Sequence, residues 1–301
     1  MTKHFTHIRQ LNAEQGMHLV RRAKAMKDSR FTSSLLHGKT IMLIFEKAST
    51  RTRISFDIAV RQLGGGTIFM TPMESQLGRS EPLRDTARVL SRYADGMVVR
   101  TFGQQKLDEL MAFGSIPVVN ALTDQGHPCQ VMSDMLTMYE RTPNLASLTV
   151  AWVGDGNNMA NSLVEAAMVF GFTLKLACPK GFGPDVELLA EAAASGANVF
   201  LMENPEEAVA GAHYVHTDVW ASMGQEEEMR ERVKVFSRYS VNEALMRKAA
   251  PGACFMHCLP AHRGEEVMEE VFEGQSSIVW DQAENRLHMQ KAILEWVFTQ
   301  E

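Results

Sequence analysis

The sequence predicts an α/β protein of two lobes, each with a central parallel sheet flanked by helices, and three observations carry that prediction. Short apolar runs alternate with longer amphipathic stretches, the pattern of strands joined by crossover helices. The chain has 301 residues, which at roughly 150 residues per domain suggests two domains. Near residues 140 to 147 a helix-forming run, VMSDMLTMYE, gives way to the Pro/Asn/Ser stretch RTPNLASL before a fresh strand begins.

The strands are predicted in chain order at TIMLIF (40–45), GTIFM (66–70), GMVVRTF near 100 and IPVVNAL near 118. LTVAWVG, TLKLACP, HYVHTDVW and ACFMHCL follow in the second half. The last segment, NRLHMQKAILEWVF, reads as an amphipathic helix with no strand after it to feed, so it is expected to return to the first lobe. The domain boundaries are accordingly set at 1–140, with 283–301 packing back on it, and 141–282. Met132, Met135 and Met138 recur at helical spacing; a soft binding surface is one reading, and core packing is preferred because methionine fills irregular interior gaps.

Composition narrows the function classes. With 45% hydrophobic and 22% charged residues the chain is that of a folded globular protein. Thirty Lys+Arg against 36 Asp+Glu give a net charge of -6, which argues against a general binder of nucleic acid, because phosphate backbones attract basic faces. The four cysteines, Cys129, Cys178, Cys254 and Cys258, form no CxxC pair and fit a reducing compartment. MTKHFTHIRQLNAEQG lacks the apolar stretch of a signal peptide, and no run reaches the roughly 18 apolar residues of a membrane helix. A cytoplasmic location is expected, with no membrane partner.

The strongest chemical signal is IMLIFEKASTRTRISFDIAVRQLGG, a strand, a hydroxyl-rich turn and a helix ending at a glycine run. Ser49 and Thr50 are good N-cap types, so Arg51, Thr52 and Arg53 fall in the first helical turn. Exposed backbone N–H groups and the positive dipole end favour an anion there, and cations oppose the dipole unless a multivalent anion such as phosphate joins them. An ordinary cap with solvated arginines is the competing reading. VGDGNNMA, with Gly154, Gly156 and Ala160, resembles a dinucleotide fingerprint with a shifted third position, a weak signal by itself. In HCLPAHRGEEV the side chains of His257, Cys258, His262, Glu265 and Glu266 are metal-ligand types. The spacing does not support zinc, since no CxxC or HExxH is present and Pro260 interrupts the run.

FEKASTRTR closely resembles the phosphate-binding signature of the aspartate/ornithine carbamoyltransferase family. SQLGRSEPLRDTARVLSRY, VVRTF, HPCQVMSDMLT, VGDGNNMANSL, DVWASMG, HCLPAHRGEEV and DQAENRLHMQKAIL extend the resemblance, in order, along the whole chain. It implies that Ser49, Thr50, Arg51 and Thr52 hold the phosphate of carbamoyl phosphate, and that Arg100 reaches phosphate and carbonyl. His127 would donate to the carbamoyl oxygen and Gln130 would read the carbamoyl NH2; Pro128 suits a first helical position, which places both at one helix mouth. Arg286 and the Leu259 carbonyl would orient the carbamoyl end. Gln76 lies on a loop that in related enzymes crosses to the neighbouring subunit, which implies a homotrimer with shared sites; a solvated surface loop is the local alternative. Glu81-Pro82 and Ala48 depart from the commonest family form.

In the second half the resemblance implies that Asn158, Asp218, Ser222 and Met223 bind the amino-acid end of ornithine and that Cys258 positions its side-chain amine. The implied reaction is transfer of the carbamoyl group from carbamoyl phosphate to the δ-amine of L-ornithine, giving L-citrulline in arginine biosynthesis. Arg51, Arg100, His127 and Cys258 would be the catalytic residues, with no cofactor and no metal. The alternatives are another acceptor amine, such as putrescine or an N-acylornithine, a nicotinamide-dependent dehydrogenase resting on VGDGNN alone, and a non-catalytic paralogue.

Overall fold

In the computed structural model, residues 2–71, 81–220 and 232–299 are described. The chain divides into one unit formed by Met1–Leu136 with Asn285–Glu301 and a second formed by Thr137–Glu284. Each is built on a wholly parallel sheet.

In the first unit β1 (Thr40–Phe45), β2 (Gly66–Met70), β3 (Gly96–Arg100) and β4 (Val118–Leu122) lie in the order β2-β1-β3-β4. The crossovers are α2 (Thr50–Gln62), α3 (Leu83–Tyr93) and α4 (Gln105–Phe113), while α1 (Ala13–Asp28) precedes the sheet and α5 (Pro128–Arg141) leaves it. β1, β3 and β4 are apolar along nearly their whole length because both faces of the sheet are covered. Neighbours in this order diverge at β1 and β3, whose crossovers run to opposite sides. The carboxyl ends of these two strands are therefore a topological switch point, where open α/β sheets bind ligands.

The second unit repeats the plan with β5 (Thr149–Val153), β6 (Thr173–Ala177), β7 (Val199–Met202), β8 (Tyr214–Thr217) and β9 (Cys254–His257) in the order β7-β6-β5-β8-β9. Its crossovers include α6 (Asn158–Phe170), α7 (Val186–Ala194) and α8 (Pro205–Val209), and its switch point lies between β5 and β8. Trp152, Phe172 and Phe255 are among the largest side chains wholly enclosed by this unit. The C-terminal helix (Val279–Phe298) runs from the second unit into the first.

The predicted strands all form, and β7 is an addition to them. VFLM is an edge strand of four residues with half-exposed side chains, too short and too wet to stand out as an apolar run. Met132, Met135 and Met138 are fully buried, so the methionine stripe is core. Arg84, Arg88 and Arg92 lie on α3 and point to solvent.

Candidate active site

In the first unit the phosphate-type signature folds as its residues dictate. Ser49 is the N-cap of α2 in extended geometry, its hydroxyl accepting from the Thr52 amide at 3.3 Å. No acidic residue occupies the first turn. The two arginines there do different things. Arg53 is exposed and lies over the Phe69 ring at 3.7 Å, whereas Arg51 is half-buried, and its enclosed Nε has no hydrogen-bond partner among the described residues. Thr52 is buried and accepts from Arg286 Nη2 of the C-terminal helix, so that helix brings a second guanidinium to the α2 N-terminus. Thr50 is exposed.

Arg100 ends β3 at a register irregularity with β4. Its carbonyl accepts from the Glu46 amide at 2.8 Å, and Glu46 in turn holds Lys106 at 2.7 Å and the Thr101 hydroxyl. Lys47 pairs with Asp124 and lies 4.4 Å from the Phe102 ring centre. The acid and the lysine of FEK thus tie the β1–α2 loop to the loops after β3 and β4, a use that sequence reasoning did not assign.

His127 and Gln130 flank the start of α5, with Pro128 as its first residue. His127 is 5% exposed. Burial first, then the positive charges of Arg286 and Arg100, push its pKa well below 6.5, so at neutral pH the ring is an uncharged donor among cations. Gln130 Nε2 donates to Asp134 at 2.9 Å, which leaves Gln130 Oε1 as a buried acceptor with no partner among the described residues. The fully buried Asp134 therefore decides which end of the amide faces away from it. Its role was not legible from sequence, although its place one helical turn after Gln130 was a signal. Cys129, between them, donates to the Asn120 carbonyl at 3.2 Å, and burial pushes its thiol up to about 12; it is not a nucleophile at neutral pH.

The second unit gathers the opposite charge. Gly154, at φ +135°, and Gly156 turn the chain from β5 into α6, and a β-carbon on Gly156 would sit 2.2 Å from the Gly183 carbonyl carbon. Asn157 caps α6 and donates through Nδ2 to Asp218 Oδ2 at 2.9 Å; Asp218 Oδ1 accepts from Cys258 Sγ at 3.0 Å. Asp218 thus lies at the carboxyl edge, next to the Cys258 thiol, with Asn158 beginning the helix beside it. Asp155 was not anticipated. Its carboxyl is raised to about 6 by burial and by Asp218 nearby, against the lowering effect of Arg232. Arg232 pairs with it, donates to the Trp220 carbonyl, and lies against the rings of Phe182 and Phe236.

Cys258 donates to a carboxylate, which orients it as a hydrogen-bond donor and not as a thiolate aimed at an electrophile. The donor atoms of Asp218, His257 and Cys258 lie close enough together to hold a metal ion. Both His257 nitrogens are already engaged, Nδ1 by the Leu259 amide at 2.9 Å and Nε2 by Glu266 at 3.1 Å, so metal binding would have to break that pairing. Gln76, Ser222 and Met223 lie outside the described residues.

Two parallel sheets, each with polar groups at its switch point, one cationic and one carboxylate-rich, define a two-unit α/β protein built to hold small charged ligands at its strand ends. Residues 3–140 match the family model described as aspartate/ornithine carbamoyltransferase, carbamoyl-P binding domain, and residues 146–297 match the companion Asp/Orn binding domain. The chain belongs to the aspartate/ornithine carbamoyltransferase family. It is 69% identical over 297 residues to a protein of Oleidesulfovibrio alaskensis named ornithine carbamoyltransferase, covering 99% of both chains. A Pseudomonas aeruginosa relative named ornithine carbamoyltransferase, anabolic, is 50% identical over 97% of this chain and 96% of its own. The solved ornithine carbamoyltransferase of Pyrococcus furiosus superposes with a TM-score of 0.93 at 42% identity, covering 97% of this chain and 96% of that one.

Proposed function

We infer that this protein transfers the carbamoyl group of carbamoyl phosphate to the δ-amine of L-ornithine, giving L-citrulline and phosphate, in the biosynthesis of arginine. The observation that carries the reading is the matched pair His127 and Gln130: an uncharged donor ringed by Arg100 and Arg286, beside an amide whose acceptor oxygen is fixed by Asp134. A carbamoyl group presents one acceptor oxygen and one donor NH2, the complement of that pair. The full-length relatives named for ornithine support the acceptor.

The neutral δ-amine attacks the carbonyl carbon, the bond from carbon to the phosphate oxygen breaks, and the proton lost by the nitrogen goes to the departing phosphate. Negative charge grows on the carbonyl oxygen and then on the phosphate. We assign its stabilisation to Arg51, Thr52, Arg100 and His127, donors arranged before the charge appears. Ser49, Thr50 and Gln76 complete the phosphate contacts, and Gln130, Arg286 and the Leu259 carbonyl orient the carbamoyl group. Asp218 takes the α-ammonium, with Asn158, Ser222 and Met223 at the amino-acid end and Cys258 at the δ-amine. The step balances with the two substrates alone and needs no cofactor.

We propose a first domain of residues 1–140 with 283–301 for carbamoyl phosphate and a second of 141–282 for ornithine. A homotrimer with sites shared through the Gln76 loop is our proposed assembly. The four cysteines are thiols, in keeping with a cytoplasmic location, and no helix among the described residues is long and apolar enough to cross a membrane.

The test is ureido-product formation from carbamoyl phosphate with ornithine, putrescine, N-acetylornithine or aspartate as sole acceptor. Product with ornithine alone is expected. Product with another amine would overturn the ornithine assignment, and no product from the folded protein would overturn the activity.

A further inference from the structure

We propose that His257 and Glu266 are positioning residues that hold the Cys258–Leu259 turn in the shape ornithine needs; the inference rests on the reading of Cys258 and Leu259 above. His257 ends β9 and is buried, as is Glu266. The Leu259 amide donates to His257 Nδ1 at 2.9 Å, so that nitrogen carries no proton and Nε2 is the donor to Glu266 Oε1 at 3.1 Å. The same Glu266 oxygen accepts from the His262 amide at 2.6 Å. One carboxylate oxygen and one imidazole thereby clamp both sides of the 259–262 turn. The His257 amide donates to Gln282 Oε1 at 2.9 Å, which fixes the ring's own backbone.

A clamp is needed because Leu259 sits at φ +64°, the left-handed region that a side chain with a β-carbon disfavours. Strained backbone of this kind persists only where its surroundings over-determine it, and it concentrates at functional sites. What the turn delivers is Cys258, whose thiol donates to Asp218 at 3.0 Å, and the Leu259 carbonyl. Releasing the Leu259 amide would let this pair relax away from Asp218 while leaving the first unit's phosphate groups in place. The sequence presents His257 and Glu266 nine residues apart as metal-ligand types; the fold spends them on each other and on the turn.

Two isomeric amides separate the two jobs of the ring. In His257→Asn the amide oxygen takes the place of Nδ1 and keeps the acceptor for Leu259. In His257→Gln the amide reaches the place of Nε2, keeps Glu266 and leaves the Leu259 amide without its acceptor. We expect His257→Gln to lower kcat/KM for ornithine at least 100-fold, with carbamoyl phosphate Kd within threefold of wild type and Tm little changed. His257→Asn is expected to recover at least tenfold of that loss.

Equal impairment of both variants, impairment of neither, or a parallel loss of carbamoyl phosphate binding would overturn the proposal. Cys258→Ala is the control on the underlying reading. If it leaves ornithine kinetics unchanged, the reading of Cys258 fails; if it impairs them while His257→Gln does not, the positioning proposal alone fails. Nitrogen-15 spectra of histidine in the unsubstituted protein give a second readout, and a His257 ring protonated at Nδ1 would also overturn the proposal.

Discussion

Replacing His127 with glutamine should remove up to about 1.4 kcal/mol of acid sensitivity from the folded protein between pH 7.5 and 5.5. In the unfolded chain an imidazole titrates near 6.5. In the fold, burial and then the charges of Arg286 and Arg100 hold His127 well below that value, so the unfolded chain takes up a proton at a higher pH than the fold does. The stability linked to the ring is thus fully present above 6.5 and is lost as pH falls. With a neutral folded ring the loss integrates to RT ln(11/1.1), about 1.4 kcal/mol. His4, also lowered by burial, and Asp155, raised to about 6 and therefore of opposite sign, act alike in both proteins and cancel in the comparison. Urea unfolding of wild type and His127→Gln at the two pH values measures the difference. An identical pH dependence in the two proteins would refute the buried, cation-flanked neutral ring on which the proposed hydrogen bond from His127 to the carbamoyl oxygen rests.

Arg51→Ala should lower turnover by about 10²–10³, the range for loss of one donor to a developing anion; near-normal steady-state rates would show that the phosphate site is misplaced. At subsaturating ornithine the rate should climb between pH 6.5 and 9, because an amine of pKa about 10.4 offers only a small neutral fraction, and a flat profile would count against direct attack by the free amine. Gly156→Ala would drive a β-carbon to 2.2 Å from the Gly183 carbonyl carbon and 2.3 Å from Pro184 N. Backbone must move to admit it, so a loss of about 1–3 kcal/mol or more is expected, and an unchanged melting temperature would contradict the close approach.

The parts of the molecule legible in the sequence were those whose meaning is local. TIMLIF and TVAWV announce buried parallel strands because both faces are apolar, and Ser49 announces a cap because its hydroxyl serves an amide three residues on. β7 escaped because an edge strand of four half-exposed residues carries little pattern. Asp134 escaped although it lies one helical turn from Gln130, and Asp155 and Arg232 escaped for a different reason. Arg232 is 77 residues from Asp155, and only the closing of the second sheet makes them partners. Arg286, 234 residues from Thr52, was reached through family resemblance, not spacing.

The two units show one device used with opposite sign. Each places a hydroxyl or amide cap at the N-terminus of the helix after its first central strand, Ser49 on α2 and Asn157 on α6. In the first unit the next residues are cations, and Arg286 adds another charge through Thr52, so a multivalent anion is the ligand that relieves the crowding. In the second, the cap's amide donates through Nδ2 to Asp218, and a neighbouring carboxyl, Asp155, is raised to about 6, chiefly by burial and further by crowding from Asp218, even with Arg232 beside it. A further carboxylate would worsen that crowding and an ammonium would ease it. In a chain of net charge -6 the two caps therefore stand in fields of opposite sign, one suited to an anion and the other to an ammonium.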